Sequence, residues 1–168
     1  NAANFFLKKK FKVKIFDNLI RKGSKSNLKN LDSRILFEKG DLRNYSSIQK
    51  SINKFKPDFV LNCAGQVAVT TSIKNPRLDF ESNALGTFNL LEVLRKVKKK
   101  VRIVHLSTNK VYGDLNNTKI SENKERYDFS DKKKLGISEN QGLDFHSPYG
   151  CSKGASEQYI IDYYKTFG

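Results

Sequence analysis

The stretch VRIVHLSTNKVYG, residues 101–113, decides the fold class. Val101 to Leu106 is an apolar, β-branched run that reads as a strand, and it stops at Ser107-Thr108, where short polar residues open a loop. The pattern just before it is helical, from about Leu78 to Val97, with apolar positions that include Leu85, Phe88, Leu91, Val93 and Leu94. A helix followed by a strand that ends on hydroxyl residues is the repeating unit of an α/β domain.

The same alternation extends in both directions. Phe59 to Cys63 (FVLNC) is a buried-type strand that follows Pro57-Asp58 and runs into Ala64-Gly65, with a loop from there to about Pro76. Ser46 to Phe55 has Ile48 and Ile52 at helical spacing. Ile35 to Phe37 is a short strand closed by Gly40-Asp41, and Arg21 to Asn30 is polar and loop-like. Phe11 to Phe16 (FKVKIF) alternates as a strand does and stops at Asp17-Asn18, while NAANFFLKKK reads as the later part of a helix with a basic end. Downstream, residues 114–146 are polar and without period, a long excursion over the side that carries the site. Tyr149 to Tyr164 is helical. Strands alternating with helices predict an α/β fold with a doubly wound, mostly parallel sheet. Ligands of such sheets lie beyond the carboxyl ends of the strands.

The 168 residues suffice for one domain. No stretch approaches the ~20 apolar residues of a membrane span, and no signal peptide opens the chain. The two cysteines, Cys63 and Cys151, have no CxxC or metal-ligand spacing, so no metal is expected, and they read as free thiols of a cytoplasmic protein. The net charge of +15 raises the question of nucleic acid. However, the 32 basic residues are 25 Lys and 7 Arg, and the Lys runs 8–10, 98–100 and 132–134 fall at element ends and in loops. Readers of bases and phosphates lean on the bidentate Arg fork, so the surplus reads as solvated surface, with no nucleic-acid and no membrane partner. The sequence has no Met and opens within a helical pattern, so it is expected to be a piece cut at both ends.

Three constellations carry chemistry. Tyr149 and Lys153 stand at i, i+4, which puts a phenol and an ammonium on one helix face, where the cation favours the phenolate. Thr108, at a strand end, offers a hydroxyl to an oxygen on which charge develops. Asp17, at the end of the first strand, can accept both ribose hydroxyls of NAD and repels a 2′-phosphate. Each alone has a plain structural reading: chance YxxxK in a Lys-rich chain, a loop cap, a turn aspartate.

In this order along one chain, the three together resemble the extended branch of the short-chain dehydrogenase/reductase family, the nucleotide-sugar epimerases and dehydratases. Gly40-Asp41-Leu42-Arg43 is similar to the family's adenine-side Asp-Leu, and Asn83-Ala-Leu-Gly-Thr87 to the Asn-x-x-Gly-Thr that opens its long helix. Within the branch, AGQVAVTTSIKNP (64–76), STNKVYGDL (107–115) and LDFHSPYGCSKGASEQY (143–159) resemble epimerases that act at C2 of a CDP-linked dideoxy sugar.

The resemblance implies a Rossmann-type domain without its first strand, its Gly-rich phosphate loop and a C-terminal substrate domain, over residues 1–168. It implies NAD held by Asp17, Asn18, Asp41, Leu42, Ala64, Gly65, Gln66, Asn83, Ser107, Tyr149 and Lys153. It implies a CDP-sugar held by Thr71, Ser72, Thr108, Asn109, Lys110 and Tyr149, with Thr108, Tyr149 and Lys153 carrying the chemistry. Tyr149 would take the sugar hydroxyl proton while NAD accepts the hydride, and the ketone would be reduced again from its other face. Self-association through helices such as 78–97 and 147–165 is also implied. A dehydratase would need a carboxylate after Thr108, where this chain has Asn109 and Lys110. A non-catalytic NAD-sensing or RNA-binding module would have no need of Tyr149, Lys153 and Thr108 together.

Overall fold

The computed structural model describes residues 1–168. The chain opens with α1 (Ala2–Lys8), β1 (Lys14–Asp17), α2 (Ser24–Asn27), β2 (Leu36–Lys39) and α3 (Tyr45–Phe55). Then come β3 (Phe59–Asn62), α4 (Val69–Lys74), α5 (Pro76–Phe80), a π-helical turn (Glu81–Leu85) and α6 (Gly86–Leu94). The rest is β4 (Arg102–His105), a 3-10 turn (Asn109–Tyr112), the hairpin β5 (Ile120–Glu122) and β6 (Tyr127–Phe129), and α7 (Ser147–Phe167).

The parallel strands stand as two pairs. β1 runs beside β2, with Lys14 opposite Leu36, and β3 beside β4, with Phe59 opposite Arg102. No ladder joins β1 to β3. Packing holds the pairs together instead. Ile48 of α3 and Leu90, Val93 and Leu94 of α6 form the buried cluster, and Phe16 of β1, Val60 of β3 and Ile103 of β4 all pack against it. On β3, Phe59 meets the ring of Phe6 on α1 at 5.8 Å. Elsewhere the sheet is open: Leu36, Phe37 and Val104 are exposed.

The helices that build this layer start where their sequences say. The Asn44 side chain accepts from the Ser47 N–H to cap α3, and Lys56, at φ 52°, ends it. Asn75 accepts from the Leu78 N–H, and Pro76 occupies the first turn of α5, where its missing N–H costs nothing.

Four sequence expectations are corrected. Residues 69–74, read as loop, form α4: Val69, Thr70 and Thr71 are poor helix formers, and packing against α7 sets the helix rather than propensity. The polar 21–30 segment holds α2 and a 3-10 turn, Leu28–Asn30. The excursion contains the β5–β6 hairpin, whose three-residue strands are too short to show a period. The helix expected over 78–97 widens into a π turn at its centre, and it ends at Leu94. No helix is long and apolar enough to cross a membrane.

Ile48 is 2% exposed at the centre of the cluster. Replacing it with alanine in the whole protein should cost about 2–5 kcal/mol. The readout is a lower urea midpoint at unchanged slope; an unmoved midpoint would place the stabilising core elsewhere.

Candidate active site

The first turn of a helix leaves N–H groups without intrahelical partners. At the start of α7 these are met from outside. The Ser72 hydroxyl accepts the Tyr149 N–H at 3.2 Å, and the Ser147 hydroxyl accepts the Gly150 N–H at 3.3 Å. Ser72 is fully buried and also donates to the Val69 carbonyl at 2.7 Å. Thus α4 caps α7 at Tyr149, and the hydroxyl expected to meet a sugar is already engaged. Thr71 beside it is exposed.

One turn further, the wholly buried Asp79 ties four segments together. Its Oδ1 accepts from Gln66 Nε2 (2.7 Å) and Asn83 Nδ2 (3.2 Å), and its Oδ2 accepts from the Ser152 hydroxyl (2.5 Å). Asn83 also donates to the Ser152 oxygen at 3.0 Å, and it accepts the Gln66 backbone N–H at 2.8 Å. The side chains of Gln66 and Asn83 therefore position the loop after β3 rather than projecting into open space. A Cβ at Gly65 would sit 2.5 Å from Asn83 Oδ1, so only glycine lets this loop lie against the helix. Gly65 and Ala64 themselves are exposed, with the Ala64 N–H donating to Asn62 Oδ1 at 3.3 Å.

Lys153 is 6% exposed. Its ammonium donates to the Leu106 carbonyl at 2.5 Å and lies 3.1 Å from His105 Nε2. Burial pushes the ammonium below its ordinary range, while Glu157, Cys63 and Asp79 oppose that shift. His105, the last residue of β4, is pushed down to about 4, by burial first and then by the charge of Lys153. Ser107 donates its hydroxyl to Glu157 of α7. Thr108 Oγ1 accepts the Lys110 N–H at 3.3 Å as the cap of the 3-10 turn, which leaves its own O–H free to donate. A Cβ at Gly150 would meet the Lys110 carbonyl at 3.0 Å, so that turn lies directly against the start of α7. Asn109 and Lys110 are exposed. Tyr149 is 9% exposed, and its phenol makes no hydrogen bond within the chain, its oxygen not being wholly buried.

A second group gathers at the ends of β1 and β2. Asp17 is exposed, with Oδ1 accepting the Leu19 N–H at 2.6 Å and Oδ2 unused. Asn18 donates to Asp41 Oδ2 at 3.0 Å. Arg43 grips both oxygens of Asp41, which holds that carboxyl well below the usual carboxylate range. A cleft of about 470 Å³ opens here, with Asn18, Ile20, Gly40, Asp41 and Asn44 among its lining. Leu42 stands behind it: its carbonyl accepts from Asn89 Nδ2 at 3.0 Å, and Gly86 packs on its Cβ.

The structure therefore places Thr108, Asn109, Lys110, Tyr149 and Lys153 around the start of α7, and Asn18 and Asp41 around a separate cleft, with Asp17 next in sequence but not part of its lining. Sequence reading missed His105, Asp79, Ser152 and Glu157. His105 had a visible signal, a lone imidazole two residues from Ile103 on the covered face of an apolar strand. Asp79 stands at i−4 from Asn83, but an acid there looks like ordinary helix surface.

The family described as GDP-mannose 4,6 dehydratase matches residues 1–168. The CDP-paratose 2-epimerase of Salmonella typhi is 49% identical over 170 residues, which take in 100% of this chain and 50% of that protein. The dTDP-glucose 4,6-dehydratase of Salmonella typhimurium is 30% identical, over 90% of this chain and 43% of that protein. Among solved structures, the UDP-glucose 4-epimerase of Thermus thermophilus in complex with NAD superposes with a TM-score of 0.76 at 29% identity, over 98% of this chain and 47% of that one. A Streptomyces venezuelae dTDP-glucose 4,6-dehydratase with NAD bound gives 0.74 at 27% identity, over 94% and 43%. The chain spans about half the length of the curated relatives it matches. Parallel strand pairs under α3 and α6, the Thr108, Tyr149 and Lys153 set, and a match over the whole chain agree: it belongs to the GDP-mannose 4,6 dehydratase family of NAD-dependent epimerases and dehydratases.

Proposed function

We propose that this chain is the cofactor-binding part of an NAD-dependent nucleotide-sugar epimerase, with a CDP-linked sugar as substrate and C2 as the inverted carbon. The observation that carries the reading is the set at the start of α7: a phenol without a hydrogen-bond partner in the chain, a buried ammonium one turn on, and a free hydroxyl donor at Thr108. The identity to the CDP-paratose 2-epimerase supports the choice of sugar nucleotide.

The residues fit a dinucleotide. Asp17, at the end of β1, keeps one carboxylate oxygen free of hydrogen bonds, where it would take ribose hydroxyls, and the Gly65 backbone is exposed where any Cβ would clash. Lys153 would hold the nicotinamide ribose. The chemistry supplied by bound NAD is reversible hydride acceptance at the sugar carbon. The chain handles the proton: Tyr149 Oη takes it from the sugar hydroxyl and later returns it. The Lys153 ammonium favours the phenolate, and Thr108 Oγ1 donates to the reacting oxygen. Elimination of water would need a carboxylate beside Thr108. Asn109 and Lys110 supply none, and Glu157 is held by Ser107. We further propose that a parallel strand lies between the free edges of β1 and β3 in the whole protein, that a separate part completes the sugar site, and that the enzyme is cytoplasmic. Self-association through α6 and α7 is part of the same reading; Phe88, Tyr159, Tyr163 and Phe167 stack edge to face along them, with Tyr159 and Phe167 exposed.

In the whole enzyme, Tyr149→Phe should lower turnover about 10²–10⁴-fold while NAD binding is nearly kept; near-normal turnover would remove the phenol from the mechanism. NAD should bind more tightly than NADP, and Asp17→Asn should narrow the difference; equal affinities in the parent would show that Asp17 does not face the ribose. Product formed in heavy water should carry little solvent deuterium at the inverted carbon and release no free NADH, whereas extensive incorporation would point to enolisation instead.

A further inference from the structure

A charged lysine has three N–H donors and no acceptor. Two of the donors of Lys153 are placed: one on the Leu106 carbonyl at 2.5 Å, the other towards His105 Nε2 at 3.1 Å. Both anchors belong to the end of β4, so the strand fixes the ammonium of a residue that stands on α7. One N–H is left over. On the other side of the ring, Asn62 Nδ2 lies 3.1 Å from His105 Nδ1, and Asn62, 4% exposed, is itself held by the Thr87 hydroxyl at 3.4 Å. The ring is thus clamped between β3 and α7.

Hydrogen-bond arithmetic favours one state of the ring. A neutral imidazole has one acceptor nitrogen, and an imidazolium has none. Lys153, the charged donor, requires the lone pair on Nε2, which puts the ring proton on Nδ1; Asn62, whose Oδ1 takes the Ala64 N–H at 3.3 Å, then either gives up that bond to present its oxygen or meets the ring without a hydrogen bond. An imidazolium would face the ammonium with a second N–H, and burial next to Lys153 already disfavours it.

We propose that His105 is a positioning residue for proton transfer: as a neutral acceptor it holds Lys153 in place, so that the one remaining N–H of the ammonium is available to the ribose and its charge acts on the Tyr149 phenolate. The inference rests on the proposed roles of Tyr149 and Lys153. Ser156, whose hydroxyl lies 3.3 Å from Nε2, also donates to the Lys153 carbonyl at 2.7 Å, and so steadies the same turn. The charged and titratable groups that face Lys153 are Glu157 from its own helix, His105 from β4, Cys63 beyond β3 and Asp79 from α5.

Two variants separate the halves of the ring. In His105→Asn the amide reaches the place of Nδ1 but not of Nε2, so the Asn62 contact survives and the Lys153 contact is lost. In His105→Gln a carbonyl oxygen reaches the Nε2 place and can accept from Lys153. In the whole enzyme, His105→Asn should lower kcat about 10- to 100-fold at neutral pH with KM for the sugar nucleotide little changed. The acid limb of the kcat profile, where the phenol proton is lost, should move up by about one pH unit. His105→Gln should recover most of the turnover and the parental limb. A His105→Asn enzyme with parental kcat and an unmoved limb overturns the inference, as does a Gln variant no better than the Asn one. Lys153→Met distinguishes the two levels. If it leaves the limb unmoved, the reading of Tyr149 and Lys153 fails. If it moves the limb and His105→Asn does not, only the role of His105 fails.

Discussion

The arrangement around α7 depends on one buried carboxylate. Asp79 is wholly buried and has no cation within ion-pair distance. A carboxylate in that position persists only if neutral donors saturate it. Gln66, Asn83 and Ser152 do so, and they come from the loop after β3, the π turn and α7. Any shift of one of these segments would leave a charged oxygen bare, so they are locked to one another more firmly than apolar packing alone would achieve. The π turn follows from the same need, since it is the segment that presents Asn83 at once to Gln66, Asp79 and Ser152. Ser152 immediately precedes Lys153. The network that anchors the former therefore sets the depth of the latter.

The strand pairs show the opposite kind of cohesion. β1–β2 and β3–β4 share no hydrogen bond, and Phe16, Val60 and Ile103 reach the same cluster under α3 and α6. Apolar contact is non-directional and tolerates a gap in the ladder, whereas hydrogen-bonded geometry does not. Directional bonds are accordingly concentrated at the ends of β3 and β4 and at the start of α7. The excursion is fastened there as well. The Asp144 N–H donates to the Val111 carbonyl at 3.0 Å, and the Phe145 ring covers Gly154, where a Cβ would meet it at 2.3 Å.

Much of this was legible in the residues. The strand ends at Asp17, Ala64 and Ser107, the helix from Tyr149 and the Lys153 spacing all followed from period and punctuation. The caps Asn44 and Asn75 stand where their helices begin. Less legible was whatever tertiary contact decides. Val69 to Lys74 is helical because Ser72 is needed under Tyr149, which no local propensity records. Ser72, Gln66 and Asn83 are expected from the family strings to touch a ligand; in the structure their side chains bond to Tyr149, Asp79 and Ser152, partners that no local pattern records. His105 was hidden by its neighbours, since one imidazole in VRIVHL reads as strand until its partners on β3 and α7 are known.

This division of labour bears on how one scaffold can serve different reactions. The groups that hold the site together are buried and mutually saturated, so a substitution among them strands a partner. Asn109 and Lys110 are different: both are exposed, and the side chains of both are free of hydrogen bonds within the chain. The turn itself is fixed through backbone atoms, by the Lys110 N–H on Thr108 and the Lys110 carbonyl against Gly150. The two side chains can therefore change without disturbing the bonds that hold Thr108, Tyr149 and Lys153. A carboxylate there would add an acid or a base to the turn, which an amide and an ammonium do not. On this chain the two positions that the fold leaves free carry an amide and an ammonium rather than a carboxylate.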